Sequence, residues 1–172
     1  MPIRRVYHYP EPVLKQIASP VAAIDEEIRT LAADMAETMY AAPGVGLAAP
    51  QVGASKRLIV MDCAPKDQPP QLVVAINPEI VGREGESHEE EGCLSVPGYY
   101  ASVARSQKVT VRYLDLEGRE RTVSTDGLWA ICFQHEIDHL DGILFVDHLS
   151  PLKRSLFRRK WQKLQAQQEE QL

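Results

Sequence analysis

The spacing of apolar residues divides the chain into a small set of readable elements. Ile28, Leu31, Met35, Met39 and Ala42 recur at helical intervals, which predicts an amphipathic helix. Asp25 stands where an N-cap belongs, Glu26 and Glu27 give the first turn the sign that a helix start favours, and Pro43-Gly44 ends the segment. A second helix is expected from Thr125-Asp126-Gly127 to a stop at Gly142. Its core, LWAICFQHEIDHLD, is apolar on most sides, as a buried helix is. Ser150-Pro151 pairs an N-cap with proline at the first helical position. The segment from there to Leu172 has no glycine or further proline, so it predicts one long terminal helix, with Leu152, Leu156 and Leu164 docking on the rest of the protein.

The runs between these helices read as strands. Residues 57–62 (RLIVMD) and 72–76 (LVVAI) are apolar runs split by a proline-rich turn. Residues 108–113 alternate and carry three β-branched side chains, and Glu117-Gly118 makes a hairpin turn into 119–124. Helices and strands do not alternate regularly, so the expected class is α+β, with antiparallel β-sheets around a central second helix and a long C-terminal helix.

Composition narrows the function. Over 172 residues, 44% are hydrophobic and 25% charged, ordinary for a globular domain able to bury a core without disulfide staples. Three cysteines cannot all pair and none lies in a CxxC, so reduced thiols in a cytoplasmic protein are the simplest reading. No apolar run approaches the ~20 residues that cross a bilayer, and MPIRRVYHYP has no apolar stretch after its basic residues, so neither a membrane partner nor a signal peptide is expected. The net charge of −5 argues against DNA as a partner. That charge is uneven. Residues 151–172 hold six basic and two acidic side chains, against 13 and 22 in residues 1–150. The expectation is a core over 1–150 and a basic helix over 151–172 within the same single domain.

The chemistry sits on the second helix. In His135-Glu136-Ile137-Asp138-His139 the two imidazoles are one turn apart on one face and can reach a single metal ion. Glu136 projects beside them, able to take a proton from water. The apolar neighbours Ile131, Phe133, Ile137 and Leu140 make a merely solvated face improbable, because burying such groups without a partner is costly. A catalytic metal normally has three protein ligands. The metzincin register puts Phe145 where the third histidine belongs, and the gluzincin alternative leaves only Glu169 and Glu170 near the terminus. Cys132 is about 10 Å along the helix from His139, which suits it to lining a pocket. Cys93, in EEEGCLS, is the best remaining candidate: as a thiolate it would suit Fe²⁺ or Zn²⁺, yet a lone cysteine reads equally well as a small buried hydrophobe. Cys63, closing an apolar strand, reads as the latter. Gly44-Val45-Gly46-Leu47-Ala48-Ala49-Pro50-Gln51 mimics a dinucleotide turn but follows a helix and contains Pro50, so it is better read as backbone pressed against a ligand, with Gln51 presenting an amide.

Together GVGLAAPQ, EGCLS and QHEIDH stand in the order and approximate spacing of three signature motifs, and in this the chain resembles the bacterial peptide deformylases over nearly its whole length. The terminal basic helix is similar to that of their Gram-negative type. The resemblance implies metal-dependent hydrolysis of the formyl group from N-formyl-methionyl nascent peptides, with release of formate. It implies Cys93, His135 and His139 as metal ligands, Glu136 as general acid and base, and Gln51 with the backbone N–H of Leu94 as oxyanion donors. Val45, Gly46, Glu91, Gly92, Leu128, Ile131 and Cys132 become substrate-binding residues, the last three in the methionine pocket. Fe²⁺ is the implied cofactor, one per chain, with Ni²⁺ or Zn²⁺ as substitutes, in a cytoplasmic monomer whose basic helix contacts the ribosome. Two departures stand out: Tyr100 takes the place of an arginine found in some members, and Glu89 replaces an often apolar residue at the pocket edge. Arg105 is retained and is expected to order its loop. A zinc metallopeptidase built on HExxH and a ribosome- or RNA-binding module with a structural metal are the competing readings.

Overall fold

In the computed structural model, which describes residues 3–171 and side chains as far as residue 167, the first helix begins at its anticipated cap. Helix α1 (Glu26–Ala41) is started by the Asp25 carboxylate, which accepts a hydrogen bond from the Ile28 amide at 3.0 Å. Seven strands follow: β1 (Gly46–Ala48), β2 (Leu58–Met61), β3 (Val73–Glu84), β4 (Ser87–Cys93), β5 (Val96–Arg105), β6 (Lys108–Leu114) and β7 (Glu120–Asp126). They form a five-stranded sheet in the order β1-β2-β3-β6-β7 and a separate β4-β5 hairpin, with antiparallel pairing throughout. Helix α2 (Gly127–Leu140) and the long helix α3 (Pro151–Gln171) complete the order. This is the α+β class.

The continuous apolar run of β2 has a simple cause. Its side chains alternate between two faces, and both are covered. Leu58 and Val60 pack with Met35 and Met39 of α1, while Ile59 and Met61 pack with Phe133 and Ile137 of α2. The sheet is therefore sandwiched between the two helices, and α2 is held from both sides as its all-round apolar sequence requires. Gln134 ties it to the β5-β6 connection, donating to the Ser106 carbonyl and accepting from the Ser106 amide at 2.9 Å each. The helix ends at Gly142, whose φ of +74° and contact with the Lys15 carbonyl leave no room for a Cβ.

Three features depart from the sequence expectations. Strand β3 extends to Glu84 rather than stopping at Ile76, passing through an irregularity at Asn77, whose φ is +51°. Asn77 stabilises that bend by bonding both the amide and the carbonyl of Val21. The β4-β5 hairpin was not anticipated, because SHEEEGC is acidic and poor in strand-forming residues. On α3 the docking residues are Phe157 and Trp161, with Leu164 partly buried, whereas Leu152 and Leu156 are exposed. The aromatics win because they remove more apolar area and meet Tyr9 and Tyr99 edge-on, at ring separations of 4.7–5.7 Å. Phe157→Ala is expected to cost about 3–5 kcal/mol, measured as a shift in the urea midpoint. A loss below ~1 kcal/mol would mean that α3 is not anchored there. The side chains of Glu169 and Glu170, and the whole of Leu172, lie outside the described residues.

Candidate active site

A cleft of about 1150 Å³ opens between the β1 edge, the β4-β5 hairpin and α2. At its floor the donor atoms of Cys93, His135 and His139 converge within 4.8 Å of one another. The two histidines come from successive turns of α2. Cys93 comes from the end of β4, where the strand turns back into β5 at Val96. Two separate sequence segments thus meet at one point, and it is sheet topology, invisible in local sequence, that brings Cys93 to the helix.

Each donor is held by neighbours. The Cys93 sulfur lies 3.4 Å from His139 Nε2, accepts from the Ser95 amide at 3.4 Å and from Gln51 Nε2 at 3.6 Å. The Gln51 amide is itself fixed, accepting from the Ala48 amide at 2.9 Å and donating to the Ser95 hydroxyl at 3.0 Å. His135 Nδ1 meets Glu91 Oε1 at 3.0 Å, which turns Nε2 toward the cluster and resembles the carboxylate–imidazole support common behind metal ligands. Glu91 is gripped by Arg105 through two bonds of 2.8 and 2.9 Å, and Arg105 reaches Asp138 at 2.6 Å. Asp138 also meets His148 at 2.8 Å. Burial alone would raise the Glu91 and Asp138 carboxyls, but Arg105 with His135 at Glu91, and His148 with Arg105 at Asp138, outweigh it and hold both below the ordinary range. The ordering role expected for Arg105 is thus wider than one loop, and the parts of Asp138 and His148 were not anticipated.

Glu136 is 4% exposed, and its Oε1 is buried with no hydrogen-bond partner among the described residues. Such an orphan is expensive unless something polar fills the adjoining space. Burial pushes its carboxyl up to about 7, with His135 opposing and Glu91 adding to the rise. At His135 burial favours the neutral ring, yet Glu136, Cys93 and Glu91 together overcome it and favour positive charge there. One thiol and two imidazoles converging beside the unpartnered Glu136 oxygen, open on the cleft side, form a donor set that fits a divalent metal ion.

The remaining candidates also border this cleft. Val45 and Leu128 are exposed at its mouth. Gly46 packs so closely that a Cβ would lie 2.5 Å from Glu136 Oε2 and 2.7 Å from the Cys132 sulfur. Gly92 lies against the Tyr100 ring, and Leu94, Glu89, Ile131 and Cys132 line the walls.

An HExxH helix buried against a sheet, with a cysteine and two histidines meeting below an open cleft, defines a metal-dependent hydrolase. The polypeptide deformylase family model matches residues 3–155, and this chain belongs to that family. It is 54% identical over 164 residues to the peptide deformylase of Alkalilimnicola ehrlichii, spanning 95% of this chain and 92% of that one. It is 51% identical to the enzyme of Rhizobium meliloti, with 95% and 94% covered. The crystal structure of the peptide deformylase from Legionella pneumophila superposes with a TM-score of 0.91 at 50% identity, covering 98% of each chain.

Proposed function

We propose that this cleft removes the formyl group from N-formyl-methionyl peptides, releasing formate and a free amino terminus. The observation that carries the reading is the convergence of Cys93, His135 and His139 beside a buried Glu136. A divalent cation held by those three would supply the Lewis-acid charge that lowers the pKa of water toward ~7. We take Fe²⁺ as the native ion and Ni²⁺ or Zn²⁺ as substitutes, since mixed thiolate and imidazole ligands accept all three.

The chain's own groups carry the rest. Glu136 takes the proton from the attacking water and hands it to the departing amine nitrogen. As negative charge grows on the formyl oxygen, Gln51 Nε2, giving up its long 3.6 Å contact with the Cys93 sulfur, and the Leu94 N–H donate to it. β1 is an edge strand, paired on one side only by β2, so the peptide backbone can add to it beside Gly46, with Val45 and Gly92 flanking. Leu128, Ile131, Cys132 and the apolar side of His135 receive the methionine side chain. The Glu91 carboxylate is already engaged, so its part in binding falls to its backbone while the side chain orients His135.

Two expected results follow. Gly46→Ala should displace Glu136, costing about 1–3 kcal/mol of stability and, at roughly 1 Å of misplacement, about 100-fold in kcat; unchanged turnover would separate Glu136 from that contact. Formate release from a formyl-methionyl tripeptide, run beside an unformylated peptide scored for internal cleavage, tests the function itself. Formate alone is expected. Internal cleavage would mark a zinc metallopeptidase, and neither product would leave a binding module.

We further propose that residues 151–172 belong to the same folding unit, and that α3 contacts ribosomal RNA in a monomeric, cytoplasmic protein. The support is its set of exposed basic side chains, Lys153, Arg158, Arg159 and Lys163, on the helix that the buried Phe157 and Trp161 anchor. Reversing Lys153, Arg158 and Lys163 to glutamate should weaken co-sedimentation with ribosomes and its salt dependence while sparing turnover of short peptides. Unchanged co-sedimentation at low salt would leave α3 a purely structural element.

A further inference from the structure

Two of the three cysteines take no part in the chemistry above, yet they meet. Cys63 follows the end of β2 and Cys132 lies in the middle of α2, 69 positions apart in sequence. Both sulfurs point at one carbonyl oxygen, that of Val45, at 4.0 and 3.6 Å, which sets the two thiols side by side. Both are buried in the same apolar cluster. Only Cys132 borders the cleft, so anything small that enters the cleft reaches the pair through it.

We propose that Cys63 and Cys132 form a reversible disulfide when a peroxide enters the cleft, and that this bond reshapes the methionine end of the site. The second half rests on the functional reading given above; the first does not. In the reaction, one thiol attacks hydrogen peroxide, its O–O bond breaks, and a sulfenic acid and one water result. The second sulfur then attacks the sulfenic sulfur, forming the S–S bond and expelling hydroxide, which takes up the second thiol's proton as another water. The two sulfurs together lose two electrons, and the peroxide is reduced to two waters. The Cys132 sulfur must leave its place beside Val45 and Gly46, which are the backbone positions against which the peptide lies. The neighbouring Cys63 and burial both push the Cys132 thiol well up, so the reaction is slow compared with that of an exposed thiol.

The test uses the full chain loaded with Zn²⁺, which has no redox chemistry of its own and engages Cys93. Trypsin places the three cysteines in three different peptides, 58–66, 84–105 and 122–153, so a non-reducing map identifies any cross-link directly. After hydrogen peroxide, the expected product joins 58–66 to 122–153 and leaves one free thiol, where the reduced chain has three. KM for a formyl-methionyl peptide should rise about tenfold, the scale of misfitting one methylene in an apolar pocket, and dithiothreitol should restore it. Cys63→Ala should keep its untreated KM and lose the peroxide effect. A cross-link through Cys93, oxidation of Cys132 to sulfinic acid without a cross-link, or three surviving thiols would overturn the pairing. A clean cross-link with unchanged KM would overturn its control of the cleft. Untreated protein that releases no formate would instead defeat the deformylase reading, while the peptide map still decides the pair.

Discussion

Glu136→Gln is expected to retain its metal and lose turnover by about 10²–10⁴-fold, the usual worth of a positioned general base. The substitution is nearly isosteric, so the contact with Gly46 survives and the fold is not at issue. What disappears is the ability to accept a proton from water and to return it to the departing amine. Burial favours a carboxyl that changes state near neutrality, with the side chain pushed up to about 7, whereas an amide has no second protonation state there. Metal content by elemental analysis, measured beside kcat, separates loss of the base from loss of the ion. A variant with near-normal kcat would assign the proton transfer to another group.

Arg105→Leu is expected to cost about 3–5 kcal/mol of stability, because it leaves the buried carboxylates of Glu91 and Asp138 without their cation. Arg105 is 6% exposed and bonds both. The same change loosens the Glu91 support of His135, so metal affinity should fall about 10- to 100-fold as well. The pH dependence has a definite sign. In the unaltered chain the two carboxyls sit below their ordinary values, so their contribution is complete above the ordinary carboxylate range and lost as pH falls through the depressed values. Without Arg105, burial is opposed only by the histidine partners, the penalty lies on the charged forms, and the variant's deficit should shrink as pH falls toward ~4. A deficit that grew in acid would contradict the pairing.

Much of this was legible in sequence where the signal is local. The cap at Asp25, the proline at Pro151 and the i, i+4 histidines are short-range patterns, and a helix fixes the faces its residues share. The run RLIVMD reads as a strand because both its faces are covered. By contrast, β4 is acidic, and its glutamates carry no periodic apolar signal. It forms through pairing with β5, and Glu91 is buried there only because Arg105 on the opposing strand and His135 on α2 meet it. Cys93 illustrates the same limit: on local grounds it was as much a buried hydrophobe as a ligand, and only the three motifs taken together pointed to the histidines. The docking face of α3 was misjudged because leucine spacing was weighed above aromatic bulk. The contact between Cys63 and Cys132 joins positions with no shared pattern, so no sequence reading could have reached it.

We propose that one metal ion, held by Cys93, His135 and His139, is what deformylation by this chain depends on. Chelator-stripped protein titrated anaerobically with Fe²⁺, with formate release from a formyl-methionyl tripeptide measured at each addition, tests it most directly. Activity should be absent at the start, rise linearly to one metal per chain and then level off, while Cys93→Ala stays flat throughout. Formate release by the stripped protein, or an undiminished titration curve for Cys93→Ala, would contradict the account.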